Sequence, residues 1–151
     1  MARLRETIAT SLPVERAFAF VADFANSSTW DPGVAWSERL GEGPLAVGAR
    51  YRLGVEVGGW VTPMEYRITE LEAPRRVVLV GRGFGVAAVD EIEFQPTETG
   101  SQIDYTADIR LTGLFRLLEP FAGRAFARIA HEARRGMQES LDALAARDGA
   151  A

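Results

Sequence analysis

The chain has 151 residues, a hydrophobic fraction of 47%, a charged fraction of 25% and a net charge of −4. This length predicts one domain with a substantial core, and the negative charge argues against nucleic acid as the main partner. The chain contains no cysteine and no lysine, which excludes disulfides, thiolate chemistry and Schiff bases. No apolar run is long enough to span a membrane and the first residues lack a signal-peptide core, so we expect a cytoplasmic protein.

The first thirty residues predict one strand and two short helices. Residues 3–11 alternate between apolar and polar side chains, which is typical of a strand. Pro13 occupies a position suited to the start of a helix, and apolar residues follow it at helical spacing as far as Phe24. Residues 26–32 are rich in turn-forming types and predict a further helical turn that Pro32 ends.

From residue 34 onward the sequence predicts strands separated by glycine and proline. The predicted strands are residues 34–40, 50–57, 60–69, 75–80, 86–94 and 102–111. Residues 81–85 and 96–100 are predicted to be links, the first of them a tight hairpin loop with Phe84 over the mouth of a cavity. Because the alternation is one-sided, it predicts an antiparallel sheet with one solvated and one covered face.

The last quarter of the chain, from residue 113 to about residue 147, predicts a long amphipathic helix that the pair Glu119–Pro120 interrupts near its start. Its apolar face has small residues, among them Ala133 and Gly136, which allow either close contact with the sheet or an open space. His131 and Arg134 lie on the basic back of the helix, so we expect both to be solvated. Neither a metal site nor a histidine-based catalytic site is expected.

The order of these elements resembles the helix-grip fold of the START-like superfamily (SRPBCC), and the local sequence is most similar to bacterial polyketide cyclase/dehydrase proteins. The segments that carry the resemblance are LPVERAFAFVAD at 12–23, WDPG at 30–33, GPLAVGARY at 43–51, ITELEAPRRV at 68–77, and 94–102. It implies an α+β domain over 1–151, with a curved antiparallel sheet of six to seven strands wrapped around a long C-terminal helix. Two short helices follow the first strand. It further implies a cavity for a hydrophobic ligand between sheet and helix, with no cofactor.

The inward faces inferred for such a fold supply a set of candidate ligand-binding residues. They are Tyr51, Trp60, Met64, Tyr66, Phe84, Asp90, Tyr105, Phe121, Phe126 and Ile129. Such a set of aromatic and apolar side chains suits a hydrophobic cavity with a few polar groups. The alternative is that these side chains fill the core and leave no cavity.

Asp90 is the residue that breaks the apolar pattern. If Ile92 and Phe94 face inward, alternation directs Asp90 inward as well, where an unpaired carboxylate is costly to bury. Asp90 is therefore a candidate polar anchor or general base, with Tyr66 and Tyr105 as further candidate catalytic residues. A bulge or a strand end near Val89 that turns Asp90 towards solvent is the alternative.

Three classes of function remain open on the sequence. The first is a protein that binds a lipid, a polyketide or an aromatic metabolite, and the second is an aromatase/cyclase-like enzyme. The third, a protein-binding module, is disfavoured because no exposed apolar patch can be read from the sequence. Only one clear ionisable residue is predicted to face the cavity, which favours binding over catalysis; homodimer formation is left open.

Overall fold

The structure, a computed structural model, describes residues 2–150. Its strands are β1 (Ala2–Thr10), β2 (Val34–Leu40), β3 (Arg50–Val57), β4 (Trp60–Glu72), β5 (Arg76–Gly83), β6 (Val86–Thr97) and β7 (Gly100–Leu111). Its α-helices are α1 (Val14–Val21), α2 (Ser27–Trp30) and α3 (Glu119–Ala150), and two 3₁₀ helices span Phe24–Asn26 and Gly113–Leu118. Within this part of the chain, no helix combines the length and the apolar character needed to cross a membrane.

The seven strands form one antiparallel sheet in the order β1-β7-β6-β5-β4-β3-β2. Sequential strands from β2 to β7 are neighbours, and β1 pairs with β7. The helix-grip prediction is confirmed: short helices follow the first strand, and the chain ends in a helix of 32 residues. The sheet provides the wide surface that so long an amphipathic helix needs in order to bury its apolar side.

The hairpin links are shorter than the sequence predicted. β5 continues through Gly83, so the predicted loop at residues 81–85 is a two-residue turn of Phe84 and Gly85. Such turns need positive φ angles, and Gly85 has φ 76°. Glu98 and Thr99 likewise form the whole turn between β6 and β7. Alternation identified these strands, but it weakens near their ends because turn residues obey no period.

The core lies between the inner face of the sheet, α1 and the C-terminal half of α3. Met137, Leu141 and Leu144 of α3 are buried in it. The first turns of the same helix are largely exposed, and Phe121 is 81% accessible to solvent. The helix is therefore held mainly by its C-terminal half.

Gly136 marks the closest approach between α3 and α2. A β-carbon at this position would overlap the backbone carbonyl oxygen of Trp30. One turn further along, the Ser140 hydroxyl donates a hydrogen bond to the carbonyl of Thr29 at 3.2 Å. The end of α2 thus lies directly on α3, which determines where Trp30 and the following Asp31 sit.

Candidate functional site

A cavity of about 130 Å³ lies between the inner face of the sheet, α2 and α3. Its wall is mostly apolar, and the small residues Ala130 and Ala133 of α3 face it. A cavity near this size admits a molecule such as benzene, whereas drug-sized sites measure roughly 300–1,000 Å³. The space therefore suits a single ring or the end of a longer chain. The sequence allowed the small residues of α3 either a close contact or an open space, and the structure contains both. Gly136 makes a close contact, and Ala130 and Ala133 leave a space.

Four aromatic side chains form one part of the wall: Phe24, Trp30, Tyr66 and Tyr105. The ring of Phe24 meets those of Trp30 and Tyr66 edge to face, with centroids 6.4 and 5.3 Å away. Trp30 meets Tyr105 in the same way at 5.9 Å. Tyr66 also lies against Gly81 of the neighbouring strand, where a β-carbon would collide with its ring. These contacts hold the aromatic wall in place.

Asp90 faces the cavity, as strand alternation predicted, and only 7% of the residue is exposed. The alternative of a bulge near Val89 is wrong, because β6 pairs with β5 without a register shift. The hydroxyl of Tyr105 donates a hydrogen bond of 2.6 Å to Oδ2 of Asp90. Burial raises the pKa of Asp90 to about 7; the bond from Tyr105 opposes this rise, and the nearby Asp31 and Asp108 reinforce it. The carboxyl therefore changes its protonation state near neutral pH.

The two tyrosines beside Asp90 keep their hydroxyl protons at neutral pH and can donate hydrogen bonds. Burial raises the pKa of both Tyr66 and Tyr105 well above its usual value, and the charge of Asp90 raises each further. Tyr105 already uses its hydroxyl proton on Asp90. In the described part of the chain, the hydroxyl of Tyr66 has only a long contact of 4.0 Å with the sulfur of Met64. It is therefore the phenol available to a ligand.

Asp31 is an ionisable site residue that the sequence did not predict. It follows α2 and lines the cavity, and its Oδ1 accepts a hydrogen bond of 2.8 Å from the backbone N–H of Gly33. Burial raises the pKa of Asp31 to about 6, the bond from Gly33 opposes the rise, and Glu132 adds to it. The available signal was an acidic residue directly after Trp30 in a motif of the resemblance. A turn has no periodicity, however, and the sequence could not show that this one lies against α3.

Glu6 of β1 and Arg134 of α3 form a charged pair at the cavity wall. The two side chains approach to 3.7 Å, and Arg134 also donates a hydrogen bond to the carbonyl of Thr7. The sequence predicted that Arg134 lies on the solvated back of the helix. This prediction is wrong, because Arg134 lies in the cavity wall. Among the described residues that line the cavity, Arg134 is the only cation.

The structure brings four of the ten candidate binding residues to the cavity: Tyr66, Asp90, Tyr105 and Ile129. Three others, Tyr51, Met64 and Phe126, are buried but do not line it. All three candidate catalytic residues are among the four that do. The alternation of strands β4, β6 and β7 places these three on the inner face, and the strand order and register bring them to one cavity.

The remaining three candidates, Trp60, Phe84 and Phe121, are exposed by 78%, 83% and 81%. The inward orientation inferred for Trp60 and Phe121 is therefore wrong. Trp60 is the first residue of β4 and pairs with Val57, which is itself exposed. Alternation assigns a side chain to a face of the sheet, but it does not show how far along a strand that face is covered.

Exposed apolar side chains gather in the segment that precedes α3. In the 3₁₀ helix Gly113–Leu118, the large exposed apolar side chains are Leu114, Phe115, Leu117 and Leu118. The ring of Phe115 also packs edge to face on Phe84, with centroids 5.6 Å apart. The sequence disfavoured a protein-binding module because it showed no exposed apolar patch. That reason does not hold for the folded protein.

The curved seven-stranded sheet and the long C-terminal helix form a helix-grip fold, which a START superfamily protein of known structure shares. The chain belongs to the family described as polyketide cyclase / dehydrase and lipid transport, whose model matches residues 1–147. No curated protein matches the sequence significantly.

Solved structures from several bacteria share the fold. A protein from Thermus thermophilus superposes with a TM-score of 0.74 at 19% identity, over 96% of this chain and 97% of the other. The Zhui aromatase/cyclase from a Streptomyces species superposes with a TM-score of 0.72 at 16% identity, over 92% and 90%. A START superfamily protein from Mycobacterium smegmatis gives 0.72 at 14% identity, over 93% and 94%. Identities this low establish the fold, while function has to be argued from the site.

Proposed function

We propose that the protein binds a small hydrophobic molecule in the cavity, either an aromatic metabolite or the end of a lipid or polyketide chain. The observation that carries this proposal is an apolar space left open beside Ala130 and Ala133 of α3. Larger apolar side chains at these two positions would fill the space and bury more apolar surface. A space left unfilled suits a ligand better than a core selected for stability alone.

The proposal is tested by filling the cavity. Ala133→Leu extends a side chain into the space, and Ala127→Leu makes the same change on the exposed side of α3. Benzyl alcohol, a single-ring probe, is titrated into each protein while backbone amide shifts are followed by NMR. We expect saturable shifts at cavity residues such as Ile109 in the wild type and in Ala127→Leu, and none in Ala133→Leu. Absence of saturable binding to the wild type, or equal binding to both variants, would contradict the proposal.

A second candidate function is proton transfer on a poly-β-keto chain, leading to aldol closure or dehydration. The observation that favours it is the contact of 2.6 Å between Asp90 and Tyr105, together with a pKa of about 7 for the carboxyl. A general base works best when its pKa is close to the working pH. The ionised carboxyl would remove a proton from a methylene between two carbonyls, and the hydroxyl of Tyr66 would donate to the enolate oxygen. Aromatase/cyclase is also the activity that the name of the Streptomyces neighbour gives to that protein.

The two candidate functions are separated by Asp90→Asn. With a poly-β-keto thioester analogue as substrate, catalysis predicts that the variant loses at least about 100-fold in turnover, since general acid–base groups contribute about 10²- to 10⁴-fold. Binding alone predicts that neither the wild type nor the variant turns the analogue over. Equal turnover by both proteins would exclude Asp90 as the base.

A further inference from the structure

Asp90 has no cationic partner in the described part of the chain. The groups that act on it are the hydroxyl of Tyr105, the carboxyls of Asp31 and Asp108, and the hydroxyl of Tyr66. Asp108 lies on the other face of β7 and is 3.6 Å from Arg3. Every charged group that acts on Asp90 is therefore another carboxyl. Buried charges in proteins are normally paired, so the ionised form of Asp90 lacks a counter-ion.

Arg134 does not supply that counter-ion. Its guanidinium lies against the carboxylate of Glu6 and donates to the carbonyl of Thr7. Asp31, the second carboxyl in the wall, likewise forms no ion pair with residues 2–150; its hydrogen bond comes from the backbone of Gly33. The cavity therefore presents two carboxyls that no cation of the described chain neutralises.

The same wall carries the aromatic rings of Phe24, Trp30, Tyr66 and Tyr105. Aromatic rings attract organic cations through their π electrons, most strongly where water is excluded. A combination of carboxyls and aromatic side chains is suited to an organic ammonium group, whereas an anionic group would meet only like charges.

We propose that the cavity selects a hydrophobic amine, whose protonated nitrogen lies against Asp90 and Asp31 and whose apolar body, about one ring in size, occupies the rest of the space. This inference rests on the proposed function, the binding of a small hydrophobic molecule, and adds the chemical class of that molecule. The ligand supplies the counter-ion that the chain lacks. A carboxylate with the same carbon skeleton is excluded, because it would be buried beside two carboxyls without a free cation.

The dependence of affinity on pH distinguishes an amine from a neutral ligand. An ammonium group pairs with ionised Asp90, so at pH values below the pKa of about 7 each bound amine must first displace a proton. Its affinity falls about tenfold for each pH unit in that range. A ligand carbonyl behaves in the opposite way, because it accepts a hydrogen bond from protonated Asp90 and loses that bond as the pH rises. A rise in affinity with pH therefore distinguishes the amine from a ligand whose polar group is a carbonyl, and comparison with benzyl alcohol at each pH distinguishes it from a neutral hydroxyl donor.

The experiment uses three probes with one skeleton: benzylamine, benzyl alcohol and benzoate. Their affinities are measured by titration calorimetry at pH 5.5 and pH 8, where benzylamine stays protonated. At pH 8 we expect benzylamine to bind at least about tenfold more tightly than benzyl alcohol, and benzoate not to bind. At pH 5.5 we expect the affinity for benzylamine to be about ten- to thirtyfold lower. This pH lies about 1.5 units below the pKa of Asp90, so the amine must displace a proton in order to bind.

Variants locate the ammonium group. Asp90→Asn should bring the ratio of amine to alcohol affinity at pH 8 close to one, and Asp31→Asn should lower it severalfold. Asp142→Asn, a change to a surface carboxyl of α3, should keep the wild-type ratio. Since the result is a ratio within one protein, a general loss of stability in a variant does not mimic it.

Each outcome bears on one of the two proposals. If benzyl alcohol binds and benzylamine binds no more tightly at pH 8, the amine inference is overturned while the binding function stands. If none of the three probes binds, the binding function itself fails. If the amine preference persists in both Asp90→Asn and Asp31→Asn, the cation is held elsewhere and the inference is overturned.

Discussion

Replacing Asp90 by asparagine tests how this buried carboxyl affects stability. In the folded protein its pKa is about 7, against 3.8 for an unperturbed aspartate. The folded state therefore holds the proton more tightly than the unfolded state does. Between these two pKa values the unfolded chain has released its proton and the folded protein has not, so the contribution of Asp90 to stability falls as the pH rises from about 4 through 7. This is the reverse of the usual behaviour of a carboxylate in an ion pair.

The size of the effect follows from the shift. A difference of about three pKa units corresponds to about 4 kcal/mol of stability lost between acid and mildly alkaline pH. Asparagine carries no charge at any pH, and it keeps an oxygen that can accept the hydrogen bond of Tyr105. We therefore expect Asp90→Asn to lie within about 1 kcal/mol of the wild type at pH 4.5, and to be about 2–4 kcal/mol more stable at pH 8.5.

Urea denaturation measured between pH 4.5 and pH 8.5 checks this, with tryptophan fluorescence as the probe because Trp30 is buried beside the site. Only the difference between variant and wild type is compared, so effects of carboxyls common to both proteins largely cancel. Asp142→Asn, on the surface of α3, is the control and should follow the wild type. A difference that is constant across the range, or that grows towards acid pH, would refute the reasoning.

The remaining predictions concern two glycines of α3. Gly136→Ala should destabilise the protein by about 2–3 kcal/mol, because the new β-carbon meets the carbonyl oxygen of Trp30 and backbone must shift. It should also weaken the binding of benzyl alcohol, because the shift displaces the end of α2. Gly123→Ala should instead stabilise by about 0.5–1 kcal/mol, since a β-carbon there meets nothing within 4 Å and alanine is the better helix former. Urea denaturation at one pH measures both, and changes of the same sign would contradict the assigned contact.

Most of the site that the sequence predicted lies on strands; Ile129 of α3 is the exception. Asp90 was placed on the inner face of β6 by alternation with Ile92 and Phe94. The same rule placed Tyr66 on the inner face of β4 and Tyr105 on the inner face of β7. A strand alternates strictly because its backbone geometry directs successive side chains to opposite faces, and this rule needs no knowledge of the other strands.

The part that could not be predicted depends on contacts between distant segments. Asp31 belongs to a turn, where no period applies, and its position results from the contact between Trp30 and Gly136, more than one hundred residues later in the chain. Trp60 was predicted to face the cavity and is instead exposed. Its strand and face followed from the pattern, but its exposure depends on where α3 and the neighbouring elements end.

The sequence by itself determined the order of the elements, the covered face of the sheet and the presence of a long C-terminal helix. These properties follow from local periodicity, which the backbone imposes on any chain. The family resemblance rests instead on particular segments, such as WDPG at 30–33. The tertiary structure alone decided which small residues of α3 touch another element and which leave a space. It also decided that Asp31 joins Asp90 in that space without a cation of the described chain beside either one. Those features depend on distances between segments far apart in the sequence, and it is these distances that set the charge and the size of the proposed ligand.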